Sequence, residues 1–259
     1  MANDLYFTQT KLKMLGKEGI ATPDEDGYYT LVIGGLNTSN NTGSWYYTAE
    51  GAKELFGPGS LLHRKVANGC LRAEVGHPKQ RDGEGMEAYL SRLMDIDMNN
   101  VCAHIKDVWL DEQYGKQNPH LNNPNLIAIV GKVKPSGPKA AILKEALESK
   151  HQNVCFSIRS LADEQYIRGK RVRKLLDVVT FDFVNEGGVL VASKWDSPAT
   201  ESVDNDLMAR IPVIKDTLQR IAKPAAAKQA MFSLESASTA DHILKTYLSG
   251  TAAPIYRKW

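Results

Sequence analysis

Two short stretches of this chain carry residues whose types could do chemistry: NVCFSIRSLAD over Asn153–Asp163 and LRAEVGHP over Leu71–Pro78. In the first, Ser157 lies between Phe156 and Ile158, with Arg159 and Ser160 directly after it. A hydroxyl in such an apolar, strand-like run is ordinarily a packed group bonded to a nearby carbonyl. It becomes a nucleophile when a base stands within hydrogen-bond reach and a donor waits for the oxyanion. The second stretch offers that base, His77, held between Gly76 and Pro78. The chemistry of such a pair would be acyl transfer, but a serine and a histidine far apart in a chain do not by themselves make a site.

Other candidates are weaker. His63, His104, His120, His151 and His242 show neither H-x-H nor H-E-x-x-H spacing, so no metal site is expected. His104 falls in a strand beside Cys102 and reads as a packed histidine. The three cysteines, Cys70, Cys102 and Cys155, lack paired spacing and suit a reducing compartment. Cys155 shares a strand face with Ser157 and reads as its packed neighbour. There is no G-x-S-x-G element.

Composition bounds the rest. A chain of 259 residues can bury a full core, and 42% hydrophobic with 24% charged residues is ordinary for a globular protein. A net charge of +2 implies no general attraction to nucleic acid. No apolar run approaches the ~20 residues of a membrane span. The N-terminal residues lack the apolar region of a signal peptide.

The elements that must position these residues can be read from patterning. Strands are expected over 28–34, 71–75, 100–110, 126–133, 154–161 and 174–184. Helices are expected over 47–56 with Thr48 as cap, over 87–94, and over 139–150 burying Ala141, Leu143, Ala146 and Leu147. The basic run Arg168–Lys174 reads as a solvated hairpin. Near Pro198 the composition shifts, and helical spacing follows over 204–222 and again over 240–248. The expected organisation is a working domain, 1–198, and a helical appendage, 199–259, with a linker near 223–238.

The GHP element after Ala73-Glu74-Val75, and S-x-R-x-L in an apolar strand, resemble the prohead maturation proteases of T-even-type and giant tailed bacteriophages. Their motifs read roughly G-E-L-N-H-P and V-S-S-R-G-L. That family is similar in turn to the herpesvirus assemblins, which are serine proteases. Here Gly76 replaces the asparagine before the histidine, while Ile158 and Ser160 replace the serine and glycine flanking the arginine. Local similarity extends from about Leu31 to about Val184.

The resemblance implies an α+β fold: a mostly antiparallel β-barrel core surrounded by helices, with the helical appendage after it. It implies Ser157 as nucleophile, His77 as base, and a carboxylate from the strand KLLDVVTFDFV. Asp182 lies in an F-D-x-V element resembling the V-D-x-V of T-even proteases, whereas Asp177 matches a glutamate of a more distant group. Strict alternation sets residues five apart on opposite faces, so only one can serve, and Asp182 is favoured. Arg159 is implied in oxyanion support or positioning. Glu74 is matched too, but alternation sets it opposite His77 and suggests a structural part.

The expected function is therefore a viral serine endopeptidase that matures proheads, cutting scaffold, core and capsid precursor proteins after glutamate. It would work inside the assembling prohead in the host cytoplasm, without a cofactor, nucleic acid or membrane; a homo-oligomer is compatible. Ser233-Leu234-Glu235 fits a small-x-Glu cleavage pattern, which makes Glu235 a candidate for self-cleavage. The alternatives are an inactive structural or binding component of a prohead, and an unrelated, metal-dependent α+β hydrolase.

Overall fold

The computed structural model describes residues 5–13, 21–40, 43–185, 189, 211–212, 215–223 and 234–248. Contacts divide the chain into two compact units: residues 1–77 with 96–210, and residues 78–95 with 211–259. The expected boundary near 198 lies outside the described residues.

The first unit is built on two sheets. Its strands are β1 (Leu5–Lys13), β2 (Tyr29–Leu36), β3 (Thr38–Ser39), β4 (Tyr46–Thr48), β5 (Arg72–Glu74), β6 (Val101–Asp111), β7 (Ile127–Pro135), β8 (Cys155–Ile167) and β9 (Lys170–Val184). One sheet runs β1-β8-β9-β4-β3 and the other β2-β7-β6-β5. All neighbours pair antiparallel except β4 with β9. Among the described residues the two sheets do not close into the single barrel expected from the sequence. Closure fails at β5, which is three residues long and meets β9 through one isolated bridge, Val75 to Phe183.

Between the sheets lies an apolar core that includes Leu31, Ile33, Ile129, Phe156, Ile158 and Phe181. These are β-branched, aromatic or leucine residues at strand spacing, as a half-buried pleated surface requires. At Gly34 a Cβ would lie 2.6 Å from Ile129 Cδ1 of the neighbouring strand and 3.0 Å from Ile158 Cδ1 of the facing sheet.

Strand β8 is buried continuously from Cys155 to Asp163. Phe156 and Ile158 face the apolar core, so Ser157 and Arg159 share the opposite, polar face. Strand β9 carries one extra residue opposite Arg159/Ser160 and another opposite Leu161/Ala162. The hairpin between β8 and β9 turns on Arg168 and Gly169, at φ 49° and 80°. Only its tip is solvated: Arg173 is buried against Glu164 and the Tyr47 hydroxyl, and Lys174 pairs with Glu50 at 2.8 Å.

Helices α1 (Ala52–Leu55), α2 (Leu61–Ala67), α4 (Tyr114–Gln117) and α5 (Ala140–Glu148) belong to this unit, and α3 (Met86–Met94) to the other. The helix expected over 47–56 is cut short by Gly51 at φ 76°, and Thr48 ends a strand, its hydroxyl accepting from Glu50 N–H at 3.2 Å. In α5, Leu143, Ala146 and Leu147 are buried as the spacing requires, while Ala141 is exposed.

The second unit contains α3, α6 (Lys215–Ala222) and α7 (Leu234–Ile243). Leu90, Leu93, Leu218, Ile221, Ala240 and Ile243 are buried. The Ser91 and Ser236 hydroxyls meet at 2.8 Å, and Arg220 Nε reaches Glu87 Oε2 at 3.0 Å. Helix α7 begins six residues earlier than the expected 240–248, so the 234–238 part of the expected linker is helical.

Candidate active site

Strands β8 and β9 set Ser157 directly opposite Asp182. Opposed residues of an antiparallel pair project to the same face, so the hydroxyl and the carboxylate stand side by side. The third group arrives from the end of β5. Val75 bridges Phe183, and Gly76 N–H donates to the Phe183 carbonyl at 2.6 Å, which docks the chain one residue from Asp182. Gly76 then turns the backbone at φ 72°, and the following residue, His77, is brought over the two side chains. Proline at position 78 restricts His77 to extended conformations.

The result is a continuous hydrogen-bonded chain. Ser157 Oγ lies 2.5 Å from His77 Nε2, and His77 Nδ1 lies 3.0 Å from Asp182 Oδ2. Ser157 and Asp182 are fully buried, and the His77 side chain is 10% exposed. Burial would raise the Asp182 pKa, but Arg159's charge and the hydrogen bond from His77 outweigh it and hold the carboxyl below its usual range. An ionised carboxylate can only accept, so Nδ1 carries the imidazole hydrogen and Nε2 is free to accept from the serine hydroxyl. That is the tautomer a general base needs.

Behind Asp182 lies a second layer of charge. Nη2 of Arg159 donates to Asp182 Oδ1 at 3.0 Å and to Glu74 Oε1 at 2.9 Å, and all three side chains have no exposure. Glu74 N–H also points to Asp182 Oδ1, at 3.3 Å. These donors occupy Oδ1 and leave Oδ2 to the imidazole. Glu74 Oε1 accepts in turn from Asp97 N–H at 3.0 Å, and Oε2 from Asn100 Nδ2 at 3.2 Å. Burial would favour loss of Arg159's proton, but the flanking Asp182 and Glu74 carboxylates hold its charge.

The structure thus brings together Ser157, His77 and Asp182, with Arg159 beside them. Arg159 Nη2 is aimed at the two carboxylates. Asp177 is not part of this group. Its Oδ1 accepts from Val178 N–H at 2.8 Å, and it pairs with Leu161, four residues beyond Ser157 on β8. The extra residue of β9 returns Asp177 to the Ser157 face, so separation of about 13 Å along the strand keeps it away, not alternation. Glu235 is the second residue of α7, and Ser236 after it is buried.

Glu74 is what sequence reasoning missed. Its signal was an acid three residues before His77, discounted by alternation. The left-handed Gly76 between them breaks that alternation; the register shift beside Glu74 is an extra residue of β6, Cys102, and leaves β5 itself regular. His104 and Cys155 take the packed places expected of them. His104 Nδ1 lies 2.9 Å from the Tyr28 hydroxyl, with its pKa lowered by burial. Cys155 is buried on β8. Among the described residues, no three His, Cys, Asp or Glu side chains are grouped to hold a metal ion, and no helix is long and apolar enough to cross a membrane.

Comparison with known proteins agrees with the resemblance carried by the GHP and S-x-R elements. The capsid maturation protease of Pseudomonas phage phiKZ is 34% identical over 223 residues, covering 85% of this chain and 78% of that protein. The bacteriophage T4 capsid assembly protease, gp21, is a similar solved structure, at 12% identity and a TM-score of 0.44, covering 70% of this chain and 99% of that one. Residues 7–245 match the model of the Peptidase S80 family. With residues 7–245 inside that match and 34% identity to the phiKZ protein over 223 residues, the chain belongs to the Peptidase S80 family.

Proposed function

We propose that this chain is a phage capsid maturation protease working as a serine endopeptidase, with Ser157 as nucleophile, His77 as general base and Asp182 as its orienting carboxylate. The observation that carries the proposal is the unbroken chain from Ser157 Oγ through the imidazole to Asp182 Oδ2. His77 Nε2 takes the hydroxyl proton as Oγ attacks the scissile carbonyl. Asp182 stabilises the imidazolium that forms, and the proton passes to the leaving amine. Water then hydrolyses the acyl-serine by the same base.

The substrates are scaffold, core and capsid precursor proteins in the assembling prohead, within the host cytoplasm. The phiKZ relative, a capsid maturation protease, supports that class. Cleavage follows glutamate, and Glu235 is a site of self-cleavage. Because Glu235 lies in the first turn of α7, that turn must unwind before the bond can enter a groove; its N–H groups, lacking intrahelical partners, make it the easiest turn to open.

The test is incubation of wild-type, Ser157→Ala and His77→Ala chains with a scaffold or capsid precursor, read by mass spectrometry. Both substitutions should lower cleavage on the order of 10^3-fold or more with the fold intact. A fluorophosphonate should label Ser157 in the wild type. Near wild-type cleavage by either variant refutes the serine mechanism, and an inert but folded wild type favours a structural prohead component. New termini should follow glutamate, and a shortened wild-type chain should end at Glu235. Termini elsewhere would overturn that specificity alone.

A further inference from the structure

Arg159 poses an electrostatic problem for the site just proposed. An imidazolium at His77 is stabilised by the negative charge of Asp182, yet a fully buried guanidinium 3.0 Å from that carboxylate cancels most of it. The groups packed around Asp182 are His77, Arg159 from β8, Glu74 from β5 and the Cys102 thiol from β6. Burial, with the Asp182 and Glu74 charges, pushes the thiol well above its usual range, so it stays protonated and uncharged. The charged members are then two carboxylates and one guanidinium. Together they hold one net negative charge, which a proton on His77 brings to neutrality.

On that basis we propose that Glu74 is a positioning residue of the peptidase, acting through Arg159 to fix Asp182 against His77 and restoring the negative charge that the imidazolium requires. The inference rests on the serine-protease reading of Ser157, His77 and Asp182. The geometry gives it two parts. Glu74 Oε1 takes one hydrogen of Arg159 Nη2, which turns the other toward Asp182 Oδ1. Glu74 is itself fixed by donors on both oxygens, Asp97 N–H on Oε1 and Asn100 Nδ2 on Oε2. Asn100 Nδ2 also donates to the Val75 carbonyl at 2.9 Å, and so ties the carboxylate to the segment that delivers His77.

The experiment uses the full 259-residue chain and a peptide that the wild type cleaves and Ser157→Ala does not. Glu74→Gln keeps the shape and removes the charge. It should lower kcat on the order of tenfold with KM within about twofold, and move the acid limb of the kcat/KM profile to lower pH. In an Asp182→Asn background the same substitution should cost far less, since its effect passes through Asp182. A merely structural glutamate would lower the folded fraction but leave the acid limb in place and its cost additive. Should Glu74→Gln not fold, Asn100→Ala releases one donor from Glu74 and should shift the acid limb in the same direction with a severalfold loss of kcat. An unchanged pH profile and kcat in the folded variant overturns the proposal. If Ser157→Ala still cleaves, the mechanism beneath it falls as well; if Ser157→Ala is dead and Glu74→Gln behaves as wild type, only the part given to Glu74 falls.

Discussion

Ser157 and Asp182 face each other across the β8–β9 ladder, and His77 joins them, with Nε2 at 2.5 Å from the hydroxyl and Nδ1 at 3.0 Å from the carboxylate. Two members of the candidate triad are therefore set by one strand pairing, and the third by how β5 ends. Disturbing the ladder register would separate serine from carboxylate; disturbing Gly76 would move only the base.

The ladder distinguishes the two aspartates. Asp182→Asn replaces the acceptor that fixes the imidazole tautomer, so turnover should fall by about 10^3–10^4-fold with the fold retained. Asp177→Asn keeps an oxygen that can accept from Val178 N–H and loses only the charge, so it should leave turnover within about threefold and cost on the order of 1 kcal/mol of stability, as a charged hydrogen bond becomes a neutral one. Peptide cleavage rates and urea midpoints on the two variants separate the cases, and the reverse ranking would transfer the role to Asp177.

Arg159 lies between two fully buried carboxylates. Arg159→Met leaves both without their cation, and breaking a buried pair this way typically costs about 3–5 kcal/mol. Guanidinium denaturation should show that loss. Adding Glu74→Leu to Arg159→Met should recover part of the stability, because a carboxylate without a partner is removed, and should not recover cleavage. A destabilisation below about 1 kcal/mol for Arg159→Met would mean that water reaches the site.

Acid should weaken the fold through Asp182. Its pKa is lowered in the folded protein, chiefly by Arg159 working against burial, so the unfolded chain binds the proton more readily. The stabilisation is complete above the unfolded carboxylate value of about 3.9 and is lost as pH falls through the lower folded value. Wild type should therefore exceed Asp182→Asn in stability most at neutral pH, with the difference shrinking below about pH 4. Denaturant midpoints at several pH values give the curve; a difference independent of pH would contradict it.

Gly76 takes a left-handed conformation with no atom within 4 Å of where a Cβ would stand. Gly76→Ala meets strain rather than a clash, about 1 kcal/mol. Because His77 is the next residue, kcat should fall more than KM rises, and thermal unfolding should move down by a few degrees. Wild-type kcat in this variant would show that the base does not depend on the turn.

Much of this was legible in the sequence because it is local. The strand carrying Ser157 and the strand carrying Asp182 announce themselves by β-branched and aromatic runs, and Pro78 beside His77 marks a restricted backbone. The GHP and S-x-R elements are short contiguous strings, and they sufficed to point to the family. Helix α5 was legible for the same reason, as a run of strong helix formers.

What only the tertiary structure decided depends on register and on contacts between distant segments. Alternation holds along a regular strand, and it failed where β9 carries extra residues and where Gly76 turns the chain after β5: Asp177 returned to the Ser157 face, and Glu74 and His77 came to the same cluster. Arg173 looked like part of a solvated hairpin, and nothing in the strand of Arg159 showed what would neutralise it, because a single strand shows nothing of the carboxylates it will meet. Burying a charge is favourable only with its partner in place. Of those partners, Glu164 stands opposite Arg173 in the β8–β9 ladder, Asp182 comes to Arg159 from β9, and Glu74 from β5 of the other sheet; no single stretch of sequence contains these relations.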